Sequence, residues 1–178
     1  MNVRRLILIL APLSISALLR AGAGFNDYEE VNFKRGQPAL LILWSMRCPC
    51  ARKYGRQLNK IHSDYGAKGL QMAGIDPFPE ESAEEIKVFS KQWKIEFPVL
   101  KDEGGKLAKK FKLGATPEAF LFDKDGRLAY SGAIDDALYF MKKAKSHYLM
   151  DALEDVFNGR KPAVAFREPW GCAYFKGG

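Results

Sequence analysis

The chain has 178 residues, 47% of them apolar and 28% charged, a balance that fits one folded domain with a single sizeable core. It excludes a low-complexity or disordered polymer, and no repeat of solenoid or propeller length is present. The net charge of +7 describes a mildly basic surface rather than a nucleic-acid footprint. The lysines come in small scattered groups such as Lys109-Lys110 and Lys142-Lys143-Lys145, which read as solvated helix faces.

The first 23 residues differ from the rest. Arg4 and Arg5 form a basic start, residues 6–19 are an apolar run broken by Pro12, and Ala21-Gly22-Ala23 supplies the small residues of a cleavage site. This is the pattern of a secretory signal peptide, and the run is short of the roughly 20 residues a membrane span needs. Residues 1–23 are therefore read as a cleaved signal. They hold three arginines and no acid, so the mature chain carries +4. The competing reading is an uncleaved N-terminal anchor, against which Pro12 and Arg20 count. The expected location is periplasmic or secreted. Three cysteines remain: Cys48, Cys50 and Cys172. In an oxidising compartment a disulfide is expected, and the odd count leaves one thiol free, exchanging or paired outside the chain.

Residues 38–44 (PALLILW) form a nearly continuous apolar run, as in a parallel strand buried on both faces. Residues 48–65 then read as a helix with Pro49 in its first position. Tyr54, Leu58, Ile61 and Tyr65 lie on one face, and Gly66 and Gly69 provide the stop. Residues 70–75 are a second short apolar run, ended by Asp76-Pro77-Phe78-Pro79. Residues 82–93 open with a capping box of Ser82 and Glu85, and Ile86, Phe89 and Trp93 make the inward stripe.

Residues 97–100 read as an extended edge and 106–111 as a brief basic helix. Residues 118–122 and 127–131 flank Asp123-Lys124-Asp125-Gly126, a hairpin signal. Residues 146–157 make the last helix, with Leu149, Ala152, Leu153 and Val156 inward and Asn158-Gly159 closing it. The tail, 160–178, is irregular but too apolar to float free. The expected organisation is a signal peptide at 1–23, one domain at 24–159, and a tail at 160–178 packed back upon it. The fold class is α/β, a mixed central sheet flanked by helices, because the early βαβ unit implies parallel strands and the hairpin adds antiparallel ones.

Four features together resemble the thioredoxin superfamily, in particular its bacterial redoxin and thiol-specific-antioxidant branches. They are the buried strand ending in Trp44, the cysteine four residues later, Gly114-Ala115-Thr116-Pro117, and the FLFDKDG hairpin that follows. The likeness covers about residues 28–157 and implies a thioredoxin-like fold. It also implies that Pro117 follows a cis peptide bond, neighbours Cys48 and presents backbone to a substrate chain. The usual C-x-x-C is replaced here by Cys48-Pro49-Cys50, so Cys48 matches the nucleophile and Cys50 sits one place too early for its partner.

Cys48 at a helix start should be favoured as a thiolate by free N–H groups and the helix dipole. Arg47 adds a neighbouring cation, with Arg52 and Lys53 a turn further on. A Cys48–Cys50 bond requires Cys48 to lie just outside the helix in extended geometry, since residues two apart on a helix diverge by about 200°; otherwise Cys50 packs as a small hydrophobe. Cys172, after Gly171, is the other candidate to resolve a Cys48 intermediate, or is simply packed. Glu118 is a candidate proton carrier, though an exposed loop acid is the commoner placement. Trp44 frames the site, and Trp44, Arg47, Thr116 and Glu118 are the candidate substrate-binding residues. His62 and His147 read as surface or half-buried helix residues.

The function expected is an exported thiol–disulfide oxidoreductase using Cys48 as nucleophile and Cys50 or Cys172 as resolving cysteine. Its partners are protein or small-molecule disulfides and a redox partner protein, with no cofactor, metal or nucleic acid, and a membrane only if the N-terminal segment stays uncleaved. Two alternatives remain. A peroxiredoxin-like thiol peroxidase fits Ser45 but has Leu41 where those proteins carry proline. A copper-binding thioredoxin-fold chaperone suits soft thiolates, but the cysteine spacing differs.

Overall fold

The computed structural model describes residues 31–137 and 143–174; the expected signal peptide lies outside the described residues. Strand β1 (Ala39–Leu43) is buried along its whole length. Its residues serve two cores by alternation. Leu40 and Ile42 join one cluster, while Ala39, Leu41 and Leu43 join the other. Helix α1 (Pro49–Gly66) follows, with Ala51, Tyr54, Leu58, Ile61 and Tyr65 buried on its inner face. Strand β2 (Gln71–Asp76) returns parallel to β1.

Helix α2 (Ala83–Gln92) starts on the expected capping box of Ser82 and Glu85. Ile86 is its buried anchor and Phe89 packs against the same core. Trp93 corrects the expected stripe: the helix stops at Gln92, and Trp93 turns out to 41% exposure. There its ring receives the Arg52 guanidinium 4.6 Å from the centroid. Strand β3 (Val99–Lys101) pairs parallel with β2, and helix α3 (Lys106–Phe111) covers the opposite face through Leu107, Ala108 and Phe111.

Strand β4 (Ala115–Thr116) leads directly into β5 (Glu118–Phe122). The hairpin from β5 to β6 (Leu128–Gly132) forms where expected, with the Asp123 carboxylate accepting from the N–H groups of Asp125 and Arg127, both at 2.9 Å. Helix α4 (Tyr148–Phe157) buries Leu149, Ala152 and Leu153, and Val156 is half-buried against the same core. His147 is exposed just before this helix, and His62 is half-buried on α1 against the edge of Phe97.

The main sheet has the order β3-β2-β1-β5-β6-β7, where β7 (Phe166–Arg167) comes from the tail and runs parallel to β6. Strand β8 (Cys172–Ala173) pairs antiparallel with β4. The tail thus packs back at two places, and each contact needs a glycine. A Cβ on Gly132 would lie 1.7 Å from the Arg167 carbonyl oxygen, and one on Gly171 would lie 2.1 Å from the Thr116 carbonyl oxygen. The result is an α/β fold of the thioredoxin-like kind, a mixed sheet between helices. Leu43 pairs with Ile75 on one side and Glu118 on the other. One edge of the sheet therefore gathers the end of β1, the end of β2 and the start of β5.

Candidate active site

Cys48 is the N-cap of α1, in extended conformation (φ −73°, ψ 117°). Pro49 opens the helix at no hydrogen-bond cost, and the Ala51 N–H donates to Cys48 Sγ at 3.5 Å. The first turn carries no acid. Helix N–H groups and dipole therefore act on this sulfur with no acid in the helix's own first turn to oppose them, an arrangement of the kind that favours a thiolate.

Cys48 is in a disulfide with Cys172, with Cα atoms 6.2 Å apart. Of the two partners left open by the sequence, the structure pairs Cys48 with the tail cysteine and leaves Cys50 free and half-buried. The extended conformation that a Cys48–Cys50 bond requires is present, yet the tail supplies the partner. All three Sγ atoms lie within 4.8 Å of one another. Cys172 sits opposite Thr116 in the β4–β8 pair. The Thr116–Pro117 peptide is cis, as the resemblance implied, and Cys48 Sγ lies 3.4 Å from the Thr116 carbonyl oxygen. A thiol formed there by reduction can donate to that carbonyl.

The other named residues fall at different depths. Trp44 is fully buried beneath the site, its Nε1–H donating to Met46 Sδ at 2.7 Å and its ring edge-on to Phe97. Thr116 is buried, with its hydroxyl donating to the Leu43 carbonyl at 3.4 Å. Glu118 corrects the exposed-loop placement. It is fully buried as the first residue of β5, and its Oε2 accepts from the Gly114 N–H at 3.2 Å. The chain turns into the sheet immediately after Pro117, so the carboxyl faces inward. Arg47 is next to Cys48 only in sequence. Its guanidinium donates to Glu85 at 2.9 Å and to the Glu80 carbonyl at 3.1 Å.

Several residues near the site carry no motif signal. Trp170 lies over Tyr54, ring centroids 5.9 Å apart, and its Nε1–H donates to the Asp135 carbonyl at 3.2 Å. The Tyr54 hydroxyl donates to Asp135 at 2.6 Å, and burial and that carboxylate push its pKa far up. Behind the Cys48 loop, Glu81 is almost fully buried and accepts from the Ser45 hydroxyl at 2.5 Å and the Met46 N–H at 2.9 Å. The apolar spacing of α1 and the Trp44–Cys48 offset point to the sulfur; nothing comparable marks Trp170 or Glu81.

The AhpC/TSA family model matches residues 18–131, more than half of the chain. The chain belongs to the AhpC/TSA family. Among curated proteins it is similar to a thiol-disulfide oxidoreductase ResA of Bacillus cereus, 31% identical over 99 residues, or 56% of each chain. The chain thus spans little more than half the length of that relative. A solved hypothetical protein of Sinorhizobium meliloti 1021 is 30% identical with a TM-score of 0.71, over 80% of this chain and 82% of that one. A thioredoxin-like protein solved in its oxidised form, 21% identical with a TM-score of 0.56 over 70% and 80% of the chains, shares the fold. Strand β1, Cys48 and the Thr116–Pro117 loop fall inside the residues that the family model covers, whereas β8 and Cys172 lie beyond them.

Proposed function

We propose that this protein is an exported thiol–disulfide oxidoreductase in which Cys48 attacks and Cys172 resolves. The observation that carries the reading is the Cys48–Cys172 disulfide, set at a helix N-terminus and against the Thr116–Pro117 loop. The similarity to a thiol-disulfide oxidoreductase supports it. The Cys48 thiolate attacks one sulfur of a substrate disulfide, joining that sulfur and releasing the other as a thiolate. The Cys172 thiolate then attacks Cys48 Sγ. The Cys48–Cys172 bond forms, the substrate leaves as a dithiol, and a redox partner returns the pair to thiols. Each step exchanges one disulfide for another, so electrons balance without a cofactor. With the Cys48–Cys172 bond open and β8 released from β4, the Thr116 and Pro117 backbone would be free to align the incoming chain, with Trp44 and Glu118 supporting that edge from below. Export rests on residues 1–23; among the described residues no helix is long and apolar enough to cross a membrane.

The test is disulfide turnover by the full mature chain. Cys48→Ser should abolish it, and Cys172→Ser should stop after one round with substrate trapped on Cys48, visible by mass spectrometry. Turnover that survives Cys48→Ser would sink the assignment, and peroxide consumption without disulfide turnover would move the protein to the thiol peroxidases. A second reading has the three neighbouring sulfurs in its favour: reduced, they make a soft-donor set of the kind Cu(I) takes. Stoichiometric Cu(I) retention that needs Cys50 would favour that reading; its loss on brief dialysis would remove it.

A further inference from the structure

Two acids that the chemistry above does not use lie behind the active-site loop. Asp76 ends β2 and is fully buried, and Glu81 is exposed by only 1%. Both flank Phe78, whose N–H donates to Asp76 Oδ1 at 3.0 Å and whose carbonyl accepts from the Glu81 N–H at 3.0 Å, and the Glu81 carboxylate raises the Asp76 pKa. Glu81 is well supplied with donors, the Ser45 hydroxyl on Oε1 and the Met46 N–H on Oε2. Asp76 Oδ1 accepts from the Phe78 N–H at 3.0 Å, but Asp76 Oδ2 is buried with no donor facing it. An orphaned buried carboxylate oxygen beside another carboxylate is costly on both counts. One proton removes both costs. Placed on Asp76 Oδ2, it would turn the orphan acceptor into a donor and leave a single charge on Glu81, which already has two donors.

The surroundings agree. Lys101 on β3 is the cation that acts on Asp76, and its ammonium donates to the Phe78 carbonyl rather than to either acid. Arg47 is held by Glu85 and the Glu80 carbonyl, and Asp102 spends both carboxylate oxygens on the N–H groups of Leu107 and Ala108. Burial, then the hydrogen bond and charge of Glu81, raise the Asp76 pKa to about 8. The pair also reaches the sulfur through few atoms. Ser45, whose hydroxyl Glu81 holds, accepts from the Arg47 N–H at 3.2 Å through Oγ and from the Cys48 N–H at 3.3 Å through its carbonyl.

We propose that Asp76 and Glu81 share one proton and together form the positioning element that holds the Ser45–Met46–Arg47 loop, and with it Cys48, at the head of α1. The positioning half rests on the reading of Cys48 as nucleophile; the shared proton does not. When the proton leaves, two buried charges repel and the Glu81 grip on Ser45 and Met46 loosens. The sign is fixed by linkage: an acid whose pKa is raised in the folded state adds stability below its unfolded pKa, near 4, and loses it as pH climbs through the folded value.

The experiment uses the full mature chain, oxidised for unfolding and reduced for alkylation. Asp76→Asn supplies a permanent hydrogen in place of the shared one. Wild type should show a urea midpoint that falls between about pH 5 and pH 8, and Asp76→Asn should flatten that fall while keeping wild-type Cys48 alkylation at pH 7. Glu81→Ala, and Ser45→Ala where the first fails to fold, should change the Cys48 alkylation rate by about tenfold or more, the scale of a lost charge-assisted hydrogen bond. An unchanged pH slope in Asp76→Asn overturns the shared proton. A wild-type alkylation profile in Ser45→Ala or a folded Glu81→Ala overturns the positioning role. If Cys48 in wild type is inert at all pH values while the slope still flattens, the proton stands and the oxidoreductase reading falls.

Discussion

The two ends of the Cys48–Cys172 bond are built in opposite ways. Cys48 is held by the centre of the molecule: it follows β1, caps an 18-residue helix, and is only 4% exposed. Cys172 is held by the periphery, on a two-residue strand paired with another two-residue strand. What fixes the second end is a handful of contacts: Gly171 against Thr116, Trp170 on Tyr54, and the Tyr174 ring edge-on to Phe78 at 5.1 Å. A cysteine on the core keeps its place in both redox states, whereas one on a short edge pairing is free to change distance when the bond opens. That division suits the roles proposed for them, an attacking Cys48 that must be ready and a resolving Cys172 that must come and go.

The sharpest way to break this contrast is to push β8 off β4 while leaving the core untouched. At Gly171, with φ +148°, a Cβ would lie 2.1 Å from the Thr116 carbonyl oxygen. Gly171→Ala should cost the docked tail at least about 2 kcal/mol, roughly a thirtyfold loss in closing the disulfide. Cys48 alkylation in the reduced protein should stay as in wild type. A Gly171→Ala protein that closes the bond as readily as wild type would mean that the tail contact is not what sets Cys172.

A milder perturbation tests the same end. Trp170 contributes an aromatic contact and one hydrogen bond to the docked tail. Contacts of this kind are worth about 0.5–1.5 kcal/mol. Trp170→Ala should therefore weaken disulfide closure by up to about tenfold, measured as a shift in the equilibrium with a glutathione buffer. A larger loss than that of Gly171→Ala would invert the ranking of the two contacts.

The same contrast explains what could be read in the sequence. The Cys48 side was legible because its signals are local: an unbroken apolar strand, Pro49 in the first helical turn, and a stripe of Tyr54, Leu58 and Ile61 at helical spacing. The capping box at Ser82 and the Asp123–Gly126 hairpin were legible for the same reason. The Cys172 side was not, because β7 and β8 are two residues long and exist only through distant partners. Glu118 followed a proline and looked like a loop acid, and only the turn of the chain into the sheet buries it. Asp76, within Asp-Pro-Phe-Pro, read as a turn breaker. Its burial follows from its place at the end of β2, beside the end of β1, and that register is not written in either segment alone.

The smallest effect concerns the cation that sequence placed beside the proposed nucleophile. If Cys48 is tuned by its helix, Arg47 should hardly matter, because its guanidinium is committed to Glu85 and to the Glu80 carbonyl on the surface. The Glu85 pKa is held down chiefly by its hydrogen bonds to Ser82, with Arg47 a lesser cause, so the pair is a minor one at both ends. Exposed ion pairs of this kind shift equilibria by less than about fivefold. Arg47→Ala should therefore change the pH dependence of Cys48 alkylation by no more than that, with the residual effect shrinking as salt is raised. A larger displacement of the alkylation profile toward high pH would place the decisive charge on the loop side chain instead of the helix N–H groups. The core-held end of the disulfide would then owe its reactivity to a surface residue, and the contrast with Cys172 would lose its basis.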